Sequence, residues 1–200
     1  TVTISDAVTI AQLTAIDAKT SGTITYTSIS DTASNLAANT GSYVTGAVDV
    51  TITDGITAAQ LVTINALTSG EITLNDTNDT LTDSTADLVA AFTGTVTAYT
   101  GAITINDANT TAITAANLST IGGETSGAVT VTNAIAISGT QAEVTAALVT
   151  TDTLVVAGSA TVTISDANTT AITAANLSAI GAKTSGAVTV TNAIAISGTQ

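Results

Sequence analysis

The chain has 200 residues, 44% hydrophobic and only 8% charged, with 15 Asp and Glu against two Lys and a net charge of −13. That length suffices for one ordinary domain or two small ones. So acidic a chain lacks the basic patches that nucleic acid and anionic membrane surfaces require. With no Cys, His or Arg, it offers no disulfide, no thiolate and no imidazole base.

The apolar residues are Ala, Val, Ile and Leu, with one Phe, three Tyr and no Trp or Met. A compact globule is usually filled with aromatics, whereas stacked copies of one layer need only small branched side chains. Low charge density and a mean hydropathy of +0.50 exclude disorder. No run of about 18 apolar residues and no basic leader occurs. The chain begins and ends inside a repeat, so it reads as a segment of a longer repetitive protein.

In chain order, Thr1 to Asp6 alternates apolar and polar residues as a half-buried strand does. Leu13 and Ile16 then take helical spacing, and Thr20-Ser-Gly22 suits a left-handed stop. Thr23 to Thr27 is the next strand, and Ala33 to Asn39 a helix with Asp31 or Thr32 as N-cap. Val50 to Thr53 is a strand, followed by a capping-box spacing at Thr57 and Gln60 and an apolar stripe of Leu61, Ile64 and Leu67. Glu71 to Leu74 resumes a strand, and a helix is expected over Thr85 to Phe92.

Further on, Ile103–Ile105, Val129–Val131 and Ile135–Ile137 read as strands, and Thr114 to Ile121 as a short helix. Thr140 and Glu143 form another box, leading a helix through Leu148. Residues 162–200 match 103–141 at 34 of 39 positions. The plan divides into unit 1 (1–49), unit 2 (50–101), unit 3 (102–160) and a partial unit 4 (161–200). Crossover helices demand parallel strands, and the absence of Pro leaves every ladder intact. The expected fold is one continuous right-handed parallel β-solenoid with short helices on its connections, the alternative being a string of small β-sandwiches.

Catalysis is not expected. Lys19 and Lys183 lie in no distinctive motif, and recurrent aspartates at strand ends are explained as caps. The candidate metal site is Asp76, Asn78, Asp79, Asp83 and Asp87, a cluster of hard oxygen donors suited to Ca²⁺. Leu81 stands where an EF-hand loop needs Gly. The strand-end residues Asp6, Asp54, Asp107 and Asp166 also recur, either as ion ligands between turns or as caps. Paired threonines such as Thr1/Thr3, Thr23/Thr25 and Thr161/Thr163 raise ice binding as another possibility, although β-propensity alone places Thr there.

Ser30 to Leu36 and Asp83 to Leu88 resemble a recurrent "SDTAxNL" element, and Ile52 to Leu61 and Ile164 to Leu177 its companion "ITDxxxITAAQL". By these motifs the chain resembles the giant Thr/Ala/Asp-rich repeat proteins of bacterial, cyanobacterial-type cell surfaces, described as hemolysin-like or adhesin-like. The Gly-Gly-x-Gly-x-Asp nonapeptide of calcium β-rolls is missing. The resemblance implies secretion and an extracellular location at the cell surface. The expected function is therefore a non-catalytic structural segment of a surface, filament or surface-layer protein. Its partners would be neighbouring repeats, copies of itself or surface glycans, with no nucleic acid and no membrane insertion. The alternative is a calcium-dependent adhesin or an ice-binding module.

Overall fold

The computed structural model describes residues 1–74, 80–97, 99–192 and 194–198. Contacts divide the chain into two units, Thr1–Leu81 with Ala90–Gly101, and Thr82–Val89 with Ala102–Gln200. The first carries β1 (Val2–Thr3), α1 (Ile10–Asp17), β2 (Ile24–Thr25), β3 (Ser28–Asp31), α2 (Ala33–Ala38), β4 (Asp49–Ile52), α3 (Ala58–Leu67) and β5 (Ile72–Leu74). Next come β6 (Leu81–Asp83) and α4 (Thr85–Ala91), each with residues in both units.

The second unit continues with β7 (Ile103–Ile105), β8 (Ala112–Thr114), α5 (Ala115–Gly123), β9 (Val129–Val131), β10 (Ala136–Gly139) and α6 (Gln141–Leu148). A 3-10 turn at Thr151–Thr153 leads to β11 (Val155–Val156), β12 (Thr161–Ile164), β13 (Ala171–Thr173), α7 (Ala174–Gly181), β14 (Val188–Val190) and β15 (Ala195–Ser197).

The strand pairs are parallel, as crossover connections require. They fall into separate sheets: β1-β2, β3-β4-β5, β6-β7-β9-β11, β8-β10-β12-β14 and β13-β15. This corrects the expected fold class. Among the described residues the chain is a mixed α/β fold, with seven helices and several parallel sheets of two to four strands, and neither a β-solenoid nor a string of β-sandwiches.

The physical reason lies in strand length and turn length. A strand of two to four residues offers only one or two inward side chains. Its partner lies 21 residues on in one turn (Ile29↔Val50) and 26 in another (Ile103↔Val129), so the ladders do not merge. Sandwich sheets are antiparallel, which the parallel register excludes.

Helices therefore supply much of each core. Leu13, Leu36, Leu61 and Ile64 are buried, as are the strand residues Ile29, Val50, Ile52 and Ile72, in the first unit. In the second, Leu118, Ile121, Val144 and Leu148 join Ile103, Ile105, Ile137 and Val162. At about 1.5–3 kcal/mol for each buried Leu, Ile or Val, the helical layer holds helices too short to persist alone. In the second unit, α6 packs on both α5 and α7.

The Thr-Ser-Gly stops work differently from the expected left-handed cap. Positive φ angles among the glycines occur at Gly41, Gly46 and Gly94, not in these motifs. Instead the Thr hydroxyl accepts the Gly N–H, at 3.0 Å in Thr20–Gly22, 2.9 Å in Thr68–Gly70 and Thr125–Gly127, and 3.0 Å in Thr184–Gly186. The glycine is required by close approach: a Cβ on Gly70 would run into the Val48 carbonyl, and one on Gly186 into that of Ala160.

Candidate functional site: aspartates over helix starts

A helix leaves its first N–H groups without intrahelical acceptors. Here they are served from two sides. The local side is the threonine N-cap: Thr9, Thr32, Thr57, Thr114, Thr140 and Thr173 each accept the N–H of the third helical residue. At Thr9/Gln12, Thr57/Gln60 and Thr140/Glu143 the box is reciprocal.

The second side comes from the end of a strand later in the chain. Asp31 Oδ2 accepts the N–H of Ile10, first residue of α1, at 2.9 Å. Asp54 Oδ1 takes that of Ala33 in α2 at 2.6 Å. Asp107 Oδ2 takes the N–H of Thr85 in α4 at 2.7 Å and its hydroxyl at 2.6 Å. Asp166 Oδ2 takes that of Gln141 in α6 at 2.7 Å. Parallel register dictates these meetings. The pairs Val8↔Ile29, Asp31↔Ile52 and Gly139↔Ile164 each lie two residues before a helix start and its aspartate. A negative charge at this point also faces the positive end of the helix dipole.

The same register position holds glycine at two helices. Gly139 faces Ala115 of α5, and Gly198 faces Ala174 of α7, each so close that a Cβ would touch the alanine methyl. The starts of α1, α2, α4 and α6 are thus met by a carboxylate, and those of α5 and α7 by bare backbone.

Asp31 is the most enclosed of the four, at 7% exposure. Besides Ile10 it accepts the Thr32 N–H and the Asn35 side-chain amide, both at 2.8 Å, so its burial is compensated. It is not the cap of its own helix, a role that Thr32 takes. Asp6 occupies the equivalent strand-end place and is exposed.

Of the proposed calcium cluster, Asp76, Asn78 and Asp79 lie outside the described residues. Asp83 accepts the Ser84 N–H at 2.8 Å, and Asp87 accepts the Ser84 hydroxyl at 2.6 Å, within the first turn of α4. Among the described residues, no three His, Cys, Asp or Glu side chains gather where a metal ion could be held. A shallow groove of about 200 Å³ opens beside Asp107, lined by Thr85, Ala86, Ile113 and Asn117, with the carboxylate turned to the helix start.

Tyr26 and Glu124 titrate above their ordinary values. Burial, and secondarily the nearby Tyr43, raises Tyr26, whose hydroxyl donates to the Tyr43 carbonyl at 2.8 Å. Burial raises Glu124, the position that Lys183 takes in the near-copy.

Threonines meet across the strands at Thr3↔Thr25, Thr51↔Thr73, Thr104↔Thr130 and Thr163↔Thr189. No protein-family model, curated protein or solved structure matches the chain. No described helix is long and apolar enough to cross a membrane.

The expected strand-end caps carried one signal that sequence reading left unused. Each capping aspartate follows the first residue of the helix it serves by 21 to 25 positions.

Proposed function

We propose that the chain is a non-catalytic structural repeat segment of a secreted surface protein, in which strand-end aspartates close helix starts that lie earlier in the chain. The observation that carries this reading is the aspartate placement. The strand-end residues Asp31, Asp54, Asp107 and Asp166 accept hydrogen bonds from helix starts earlier in the chain, with lone pairs turned into the fold. Among the described residues, no buried side-chain nitrogen or oxygen lacks a partner, so the interior holds no orphaned group of the kind that marks a site. The motif resemblance to bacterial surface repeats agrees with this role and supports an extracellular setting.

The test is to insert a second copy of residues 102–160 after Ala160 of the full chain. A scaffold built of sequence repeats that pack on their neighbours accepts a whole unit, and its urea midpoint is retained or raised. Loss of a cooperative transition in the lengthened chain would refute the reading.

A further inference from the structure

Residues 107–118 and 166–177 are identical, so the second unit builds one wall twice: a strand-end aspartate and the start of the helix that follows it. Each wall faces the first residue of an earlier helix, whose N–H the aspartate accepts. That residue is Thr85 of α4 at Asp107 and Gln141 of α6 at Asp166. The two places differ in how far it reaches. Gln141 lies across its wall, where Oε1 accepts the side-chain amide of Asn176 at 3.1 Å and Nε2 donates to the Thr145 hydroxyl at 2.7 Å. Asn176 is half-buried as a result.

Thr85 is too short for this, and its hydroxyl is already given to Asp107. Asn117, the copy of Asn176, is exposed, and among the described residues none takes its side-chain amide. A similar reach occurs in the first unit, where Gln60 of α3 donates to the Ser34 hydroxyl of α2 at 3.3 Å. The groove of about 200 Å³ beside Asp107 therefore lies where the near-copy places its own carboxamide.

We infer that this groove binds the acetamido group of an N-acetylated sugar, which supplies the carboxamide that Thr85 does not. Its carbonyl oxygen accepts the Asn117 amide as Gln141 Oε1 accepts that of Asn176. Its methyl meets Ala86 and Ile113, and its N–H has the Thr111 and Thr114 hydroxyls as acceptors among the lining groups. The space is smaller than the roughly 300–1,000 Å³ of sites for drug-sized ligands, so one small group enters and the sugar ring stays outside. A net charge of −13 selects neutral sugars over anionic ones. The inference goes beyond the scaffold reading and stands apart from it, because acceptance of an inserted unit does not depend on the groove.

The test is an NMR titration of the full chain with N-acetylglucosamine, with glucose as the control that lacks the acetamido group. The Asn117 side-chain amide should shift saturably with a millimolar Kd, as fits a shallow site with few contacts, while Asn176 stays still and glucose shifts neither. Asn117→Ala should weaken binding about five- to tenfold, the loss of one hydrogen bond. Thr85→Gln should close the groove with the chain's own amide and abolish the response. Conversely, Gln141→Thr should open a second groove, in which Asn176 now responds to the sugar. No saturable shift at Asn117, equal shifts with glucose, or a response that survives Thr85→Gln would overturn the inference. So would a Gln141→Thr chain that stays folded and leaves Asn176 silent.

Discussion

Replacing Asp107 by Ala and by Asn separates helix capping from metal binding. Asp107→Ala removes the acceptor of both the Thr85 N–H and the Thr85 hydroxyl, on a residue only 3% exposed. Loss of a cap costs about 0.5–2 kcal/mol, and a buried hydroxyl left without its partner about 1–3 kcal/mol. Because one carboxylate oxygen serves both donors, the two overlap, and a total of about 2–3 kcal/mol is expected. For a chain of this size each kcal/mol moves the melting temperature by about 2–4 °C, so Tm should fall by about 4–12 °C. Asp107→Asn keeps an acceptor oxygen and loses only the charge facing the helix dipole, about 0.3–1 kcal/mol. Calorimetry gives the totals, and hydrogen exchange at the first amides of α4 shows where protection is lost. Equal losses in Ala and Asn, present with calcium and abolished by a chelator, would refute capping and restore the metal reading.

Chelator alone should leave the melting temperature of the unaltered chain unchanged; a drop of several degrees would mean that bound metal contributes to stability. Gly186→Ala should destabilise by about 1–3 kcal/mol in urea unfolding, because the added Cβ runs into the Ala160 carbonyl and the neighbouring turn must shift. Leu118→Ala, at a side chain with no exposure, should cost about 2–5 kcal/mol by the same measurement. Burial raises the Glu124 pKa above that of an ordinary glutamate, so the folded state holds its proton more tightly than the unfolded chain. That contribution is complete below the unfolded value and is lost as pH rises through the folded one. Glu124→Gln should therefore flatten the stability–pH curve just above the ordinary glutamate range, and an unchanged slope in pH-dependent urea melts would contradict it.

Much of this arrangement was legible from local chemistry. The boxes at Thr57/Gln60 and Thr140/Glu143 marked two helix starts, and α6 ends at Leu148 as its apolar spacing predicts. Strands β7 and β9 fall where the Ile103 and Val129 alternations place them. By contrast β3, β6, β8 and β13 escaped notice. Each runs directly into its helix, at Thr32, Ser84, Thr114 and Thr173, with no turn residue to separate strand from cap. The fold class was misjudged because alternation shows that a strand exists but not how far its ladder extends. Ladder extent depends on turn length, which varies along this chain. The part played by Asp31 was hidden for a related reason. Sequence places it beside Thr32, as a cap for α2, and only parallel register reveals that it faces the start of α1.

The alternation of Asp107, Gly139, Asp166 and Gly198 over successive helix starts in the second unit constrains how such a gene can change length. A recombination that slipped by a single turn would set glycine over a helix start built for a carboxylate. It would also press an aspartate side chain onto an alanine against which only backbone fits. Slippage by 59 residues, the offset between the two near-copies, restores every pairing at once. Descendants of this gene should therefore differ in length by whole pairs of turns, and deletions of one turn should be purged as folding defects.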